Sequence, residues 1–300
     1  MRTAFRGSVF HCIADPGEQD NENALGYFDD GLLIVEDGCV VELGKADTLM
    51  QSLSADTHVE DYSGKLIVPG FIDCHVHYPQ LDAIASYGEQ LLDWLHRYAF
   101  PREMRFADEA YAREVAVLFV DELLKNGTTT ALVFGTVHPH SADAIFEAAA
   151  AKNMRLVAGK VLMDANCPEA LRDSAETGYA QSRQLIERWH GKGRLGYAIT
   201  PRFALTSSEA QLEAAGRLAG EYPDVWVHTH LAENHAEVEQ ISRQFPWSSN
   251  YLDVYDRFGL VRERSVFAHC LHLQDAECRR LAESGAAAAH CPTSNMFLGS

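Results

Sequence analysis

The rhythm of apolar and polar positions changes near residue 66. Before it, short β-prone runs are divided by Gly, Asp and Asn turns: "TAFRGSVFHCI", "GYFDDGLLIVEDGCVVELGK" and "THVEDYSGKLIVPG". "EDG" (Glu36 to Gly38) between two apolar runs predicts a hairpin. Residues 1–65 therefore read as the N-terminal part of a small β domain, of β-sandwich type.

From Leu66 onward the order is apolar run, helix, apolar run. The runs "LIVPGFIDC", "TTTALVFGT", "RLVAGKVLM", "LGYAITPRF", "DVWVHTHLAE", "SVFAHC" and "AAAAHCP" are nearly all apolar rather than alternating. Parallel strands covered on both faces have that pattern. Amphipathic segments lie between them. "ADEAYAREVAVLFVDELLKNG" ends at a C′ glycine, Gly127, and "SADAIFEAAAAKN" opens on a capping serine, Ser141. "TSSEAQLEAAGRLAG" offers a capping box, Thr206 with Glu209. This alternation predicts an α/β fold with a parallel sheet, best a (β/α)8 TIM-type barrel over residues 66–300. An open doubly wound sheet is the competitor, but no G-x-G-x-x-G loop follows the first strand and no P-loop occurs. Seven runs stand where the fold uses eight, so the barrel is expected to be incomplete, without its last strand and C-terminal segment.

Catalytic side chains of such barrels gather at the C-terminal ends of strands. His75 and His77 end the first run, and side chains at i and i+2 project to one side of a strand. Their Cα atoms stand roughly 6.6 Å apart, close enough for both imidazoles to reach one ion at about 2.0–2.1 Å. His230 ends "VWVHTH", with Glu233 three residues on, and His269 ends "SVFAH". His228 shares a face with His230 but lies deeper, and spacing alone does not reject it. His138 and His140, in "TVHPH", are read as loop residues because Pro139 breaks the ladder, although His138 could face the site. His290 also ends a strand and is expected behind the ligands rather than among them. Three or four imidazoles beside a carboxylate suit Zn²⁺ or Fe²⁺, whereas Mg²⁺ and Ca²⁺ prefer all-oxygen shells. With Glu233 left free to move protons, the chemistry implied is metal-assisted hydrolysis.

Composition narrows the partners. A net charge of -18, from 43 acidic and 25 basic residues, repels phosphate backbones and anionic lipid, which argues against nucleic-acid or membrane binding. Seven dispersed cysteines without a C-x-x-C pair suggest reduced thiols and a cytoplasmic protein. The N-terminus has no sustained apolar region, and no run of 18 apolar residues exists to span a bilayer. "NGT" at Asn126 reads as a helix-ending turn rather than a glycosylation site.

"PGFIDCHVH" and the strand-end histidines resemble the amidohydrolase superfamily. "HVHYPQ", "LLDWLHRYAFPREMRF", "LKNGTTTA", "TPRFALTSSE", "THLAEN", "AHCLHL" and "AHCPTSN", in that order, are similar to its guanine deaminases. The resemblance implies that His75, His77 and His230 bind the metal, that Glu233 shuttles protons, and that His269 assists at the metal and the attacked carbon. It implies that Gln80 and Arg202 hydrogen-bond guanine, with Phe203 packed on its face, though a structural ion pair is the alternative for Arg202. Trp94 either closes over the base or simply packs. The implied reaction is hydrolysis of guanine to xanthine and ammonia by a homodimer. The family's aspartate ligand at the end of the eighth strand is not matched, and Asp164 fits a different position. The alternatives are an amidohydrolase acting on another purine, pyrimidine or triazine ring, or a non-catalytic scaffold or inactive fragment.

Overall fold

The computed structural model describes residues 2–15, 17 and 22–300 and divides into two compact units, Met1–Gly70 and Phe71–Ser300. The first unit contains β1 (Arg2–Cys12), β2 (Leu25–Glu36), β3 (Cys39–Lys45) and β4 (His58–Ile67), in the sheet order β3-β2-β1-β4. Asp37 and Gly38 both have positive φ, 51° and 80°, and Glu36 pairs with Cys39. Two left-handed residues in a two-residue loop match the twist of the strands they join, so "EDG" is the hairpin turn expected. Helix α1 (Ala46–Leu49) adds Leu49 to a small core with Ala4, Leu32 and Ile34. Of the expected sandwich, the described residues form this one sheet.

"LIVPGFIDC" does not make a single strand. Leu66 and Ile67 pair with Ser8 and Val9 inside the first unit, and β5 (Phe71–His77) starts afresh in the second. Pro69 explains the break, because it has no N–H to continue a ladder. The second unit continues with β6 (Thr128–Phe134), β7 (Arg155–Gly159), β8 (Val161–Leu162), β9 (Leu195–Pro201), β10 (Trp226–Leu231), β11 (Ser265–His269) and β12 (Ala287–Ala289). Every pairing is parallel, in the order β12-β11-β10-β9-β7-β6-β5, with β8 attached to β9. Each of the seven predicted runs thus holds a strand of a nearly closed, TIM-like barrel. The third run yields two short strands, split at buried Lys160, whose ammonium pairs with Asp173.

The connections are α2 (Leu91–Trp94), a π-helical turn (Leu95–Ala99), α3 (Phe100–Met104), α4 (Glu109–Lys125), α5 (Pro139–Ala151), α6 (Ala175–Trp189) and α7 (Glu209–Glu221). They continue with α8 (His235–Gln244), α9 (Tyr251–Arg257), α10 (Asp275–Ser284) and α11 (Pro292–Leu298). Asn126 closes α4, and Gly127 follows at φ 84°, as a C′ glycine should. Two predicted helix starts move. Helix α5 begins at Pro139, two residues before Ser141, because proline at the first helical position gives up an N–H that would have no partner. Helix α7 is capped by Ser208, whose hydroxyl accepts from Gln211 N–H, whereas Thr206 lies in a 3₁₀ turn and donates to the Phe203 carbonyl. Among the described residues, no helix is long and apolar enough to cross a membrane.

Candidate active site

The C-terminal ends of β5, β10 and β11 bring His75, His77, His230 and His269 together. One nitrogen from each of His75, His230 and His269 falls within 4.8 Å of the others. In all three, Nδ1 already has a partner. His230 Nδ1 donates to the Arg202 carbonyl at 2.6 Å, and His269 Nδ1 lies 2.8 Å from Asn295 Oδ1. His75 Nδ1 lies 2.8 Å from His228 Nε2. The Arg202 carbonyl and the Asn295 oxygen only accept, so His230 and His269 donate Nδ1–H and carry the lone pair on Nε2, which is how ligating histidines are oriented, while between His75 and His228 either ring can donate. His228, deeper in the strand, therefore touches a candidate ligand.

His77 Nε2 lies 3.0 Å from His230 Nε2, and His77 Nδ1 is buried without a partner. Two imidazole lone pairs at that distance repel unless a proton or a cation lies between them. The all-nitrogen donor set, the Nε2 lone pairs of His230 and His269 and this close pair fit Zn²⁺ or Fe²⁺. Phe134, at the end of β6, stacks on His77 with centroids 4.5 Å apart and packs edge-on against His75 and His228. It makes the apolar wall of the cluster. Burial holds His75, His77, His228 and His230 well below the ordinary histidine value. Neutral imidazoles, the form a metal needs, result.

Glu233 follows β10 after Ala232, whose φ is 49°. Its carboxylate lies 3.3 Å from His269 Nε2. Burial, then the nearby Glu237 carboxylate, push Glu233 up to about 8, while burial holds His269 down to about 4. A carboxyl group poised near neutrality can both take and give a proton. Glu237 accepts from the Glu233 and Asn234 N–H groups and from the Tyr251 hydroxyl, fixing the loop that carries Glu233. His269 itself has φ 72°, and Cys270 N–H bonds the Ala268 carbonyl at 3.1 Å. Those two facts describe a γ-turn centred on His269, a rare and strained conformation of the kind held at functional sites.

These groups open on a cavity of about 840 Å³ that Gln80, Trp94, Arg202, Phe203, Glu233 and His290 also line. Arg202 makes the ion pair that was its alternative reading: its Nη1 binds both carboxylate oxygens of buried Glu103, at 2.7 and 2.6 Å. The structural ion pair and the pocket position coexist. Trp94 is likewise both packed and on the wall, its Nε1 donating to Ser86 Oγ at 3.2 Å. His138 does not line the cavity. It occupies the N-cap position of α5 without a side-chain capping bond and stacks on His140, whose ring bonds the Phe106 carbonyl. Asp164 is spent on Ser208 at the start of α7, well apart in role from a metal ligand. Glu103, Phe134 and Asn295 were assigned no role from sequence, although Glu103 and Asn295 lie within the motifs "PREMRF" and "CPTSN" and Phe134 ends a predicted strand.

Residues 66–300 match the amidohydrolase family. The chain belongs to that family. This amidohydrolase is 52% identical to guanine deaminase of Escherichia coli (strain K12), over 99% of its own length and 68% of the relative's. The solved structure of E. coli guanine deaminase matches it with a TM-score of 0.95, covering 99% of this chain and 69% of that one. A guanine deaminase from C. acetobutylicum, solved with guanine bound in the active site, is 28% identical with a TM-score of 0.90, over 100% of this chain and 70% of that one.

Proposed function

We propose that the protein hydrolyses guanine to xanthine and ammonia, with Zn²⁺ or Fe²⁺ held by His75, His77 and His230. The observation that carries this reading is the convergence, in one cavity, of a four-histidine cluster, a carboxyl group poised near pH 8 and the polar pair Gln80–Arg202. The 52% identity to the E. coli enzyme and the guanine-bound C. acetobutylicum structure support it. Bound, the metal would supply a Lewis acid that makes water nucleophilic at neutral pH. The chain's own groups do the rest. Glu233 takes a proton from the attacking water, delivers it to the ring nitrogen beside the amino-bearing carbon, and then assists departure of ammonia. His269, held by Asn295, faces the attacked carbon. Gln80 and Arg202 hydrogen-bond the purine rim, Phe203 packs on its face, and Trp94 covers it.

This reading places the protein in purine catabolism in the cytoplasm and carries the expectation of a homodimer. The nearest rival is an amidohydrolase acting on another ring, which Gln80 and Arg202 disfavour because a site of buried donors and acceptors rejects rings lacking their complements. The test is xanthine formation from guanine by the purified full-length protein, alongside metal analysis. No xanthine from metal-loaded protein would sink the proposal, and absence of any bound transition metal would sink the mechanism.

A further inference from the structure

Glu103 is a buried carboxylate that the proposed reaction does not use. It sits on α3, just after the π-helical turn, and is 1% exposed. Arg202 Nη1 donates to both of its oxygens, and Gln80 Nε2 donates to Oε1 at 3.2 Å. The Phe100 ring lies under the Arg202 guanidinium at 5.2 Å, closing the other side. Two pocket-lining side chains from different strand ends are thus tied to one carboxylate.

That tie has a chemical consequence. A primary amide can present either its NH₂ or its oxygen, and the two are nearly isosteric. A carboxylate accepts only, so the Gln80 oxygen cannot face it without repulsion. Glu103 therefore forces the amide NH₂ inward and leaves Oε1, which has no hydrogen bond among the described residues, as the acceptor available to a ligand. Arg202, anchored through Nη1, keeps Nη2 as a donor without a partner among the described residues. A bound ring must offer an N–H to the first and an acceptor atom to the second.

We infer that Glu103 is a positioning residue that sets the hydrogen-bonding polarity of the substrate pocket, turning Gln80 into an acceptor and Arg202 into a donor toward the purine rim. The inference rests on the guanine reading above and deepens it. Glu103 touches no reacting atom, so its loss weakens substrate binding more than chemistry.

Steady-state kinetics on Glu103→Gln and Glu103→Asp, in the full-length metal-loaded protein, provide the test. The glutamine is isosteric but can donate, which frees the Gln80 amide to flip. The aspartate keeps the charge but falls one methylene short of reaching both partners. The expected result for E103Q is a rise of at least tenfold in KM for guanine, with kcat within about threefold and metal content unchanged. E103D, which retains the ion, should recover part of the KM loss. Wild-type KM in both variants overturns the inference. So does a fall in active fraction at unchanged KM, or loss of the folded state in both, since Glu103 would then be only a prop. Those outcomes leave guanine turnover by the wild type intact. A wild type inactive on guanine overturns the functional reading instead.

Discussion

At the scale of single residues, the candidate site depends on who holds each histidine by Nδ1. His228, the Arg202 carbonyl and Asn295 do so for His75, His230 and His269. Glu233→Gln should therefore lower kcat by about 10²–10⁴-fold, the scale of a lost proton transfer, while metal content stays at the wild-type level. Arg202→Ala should do something different. It should abolish most guanine turnover without loss of metal, and it should destabilise the fold by about 3–5 kcal/mol because Glu103 would remain buried without its cationic partner. Urea unfolding measures the second effect separately from the first. Equal stability of this variant and wild type would mean that the Glu103–Arg202 pair does not support the fold. The clustered histidines were legible because strand ends and i, i+2 spacing are local signals. Glu103 and Asn295 were not, since nothing near them in sequence announces partners 99 and 26 residues away.

At the scale of elements, all seven barrel strands could be read as apolar runs, because burial on both faces leaves an unbroken signature. The boundaries fared less well where one residue outranked a pattern. Pro69 cut the first run in two, and Pro139 started α5 early. The cap of α7 went to Ser208 over Thr206, since Asp164 accepts from both the Ser208 N–H and hydroxyl and holds that residue at the helix entrance. Ser208→Ala should accordingly cost about 1 kcal/mol in urea unfolding. Thr206→Ala should leave the helix cap untouched. The reverse ranking would restore Thr206 as the cap.

At the scale of the whole molecule, the buried titratable groups predict how stability of the metal-free protein follows pH. His75, His77, His228 and His230 are held well below 6.5 and His269 near 4, so below about 6.5 the unfolded chain binds more protons at these five sites. Their contribution rises with pH up to about 6.5 and is lost as pH falls. Glu233 and Glu237 act in the opposite sense. Raised to about 8 and 7 from 4.5, they bind more protons in the folded state, and stability falls as pH climbs through that range. Five groups outweigh two on the acid side, and only the carboxyls remain above 6.5. The urea midpoint of chelator-treated protein should therefore peak near pH 6.5 and decline on both sides. A steady rise from pH 5 to 8.5 would contradict the burial assigned to Glu233 and Glu237.

The pairing of His75 with His228 and of His77 with His230 joins positions 153 residues apart, one from the first barrel strand and one from the fifth. Closing so long a segment is slow and entropically unfavourable before other contacts reward it. The donor set is therefore expected to assemble after the folding transition state, and a refolding rate that does not change with added Zn²⁺ is the result that checks it. Interactions absent from that state change the rate of unfolding and not of folding. A bound cation would act as a latch rather than a nucleus, lengthening the lifetime of the folded protein and leaving its refolding rate as it was.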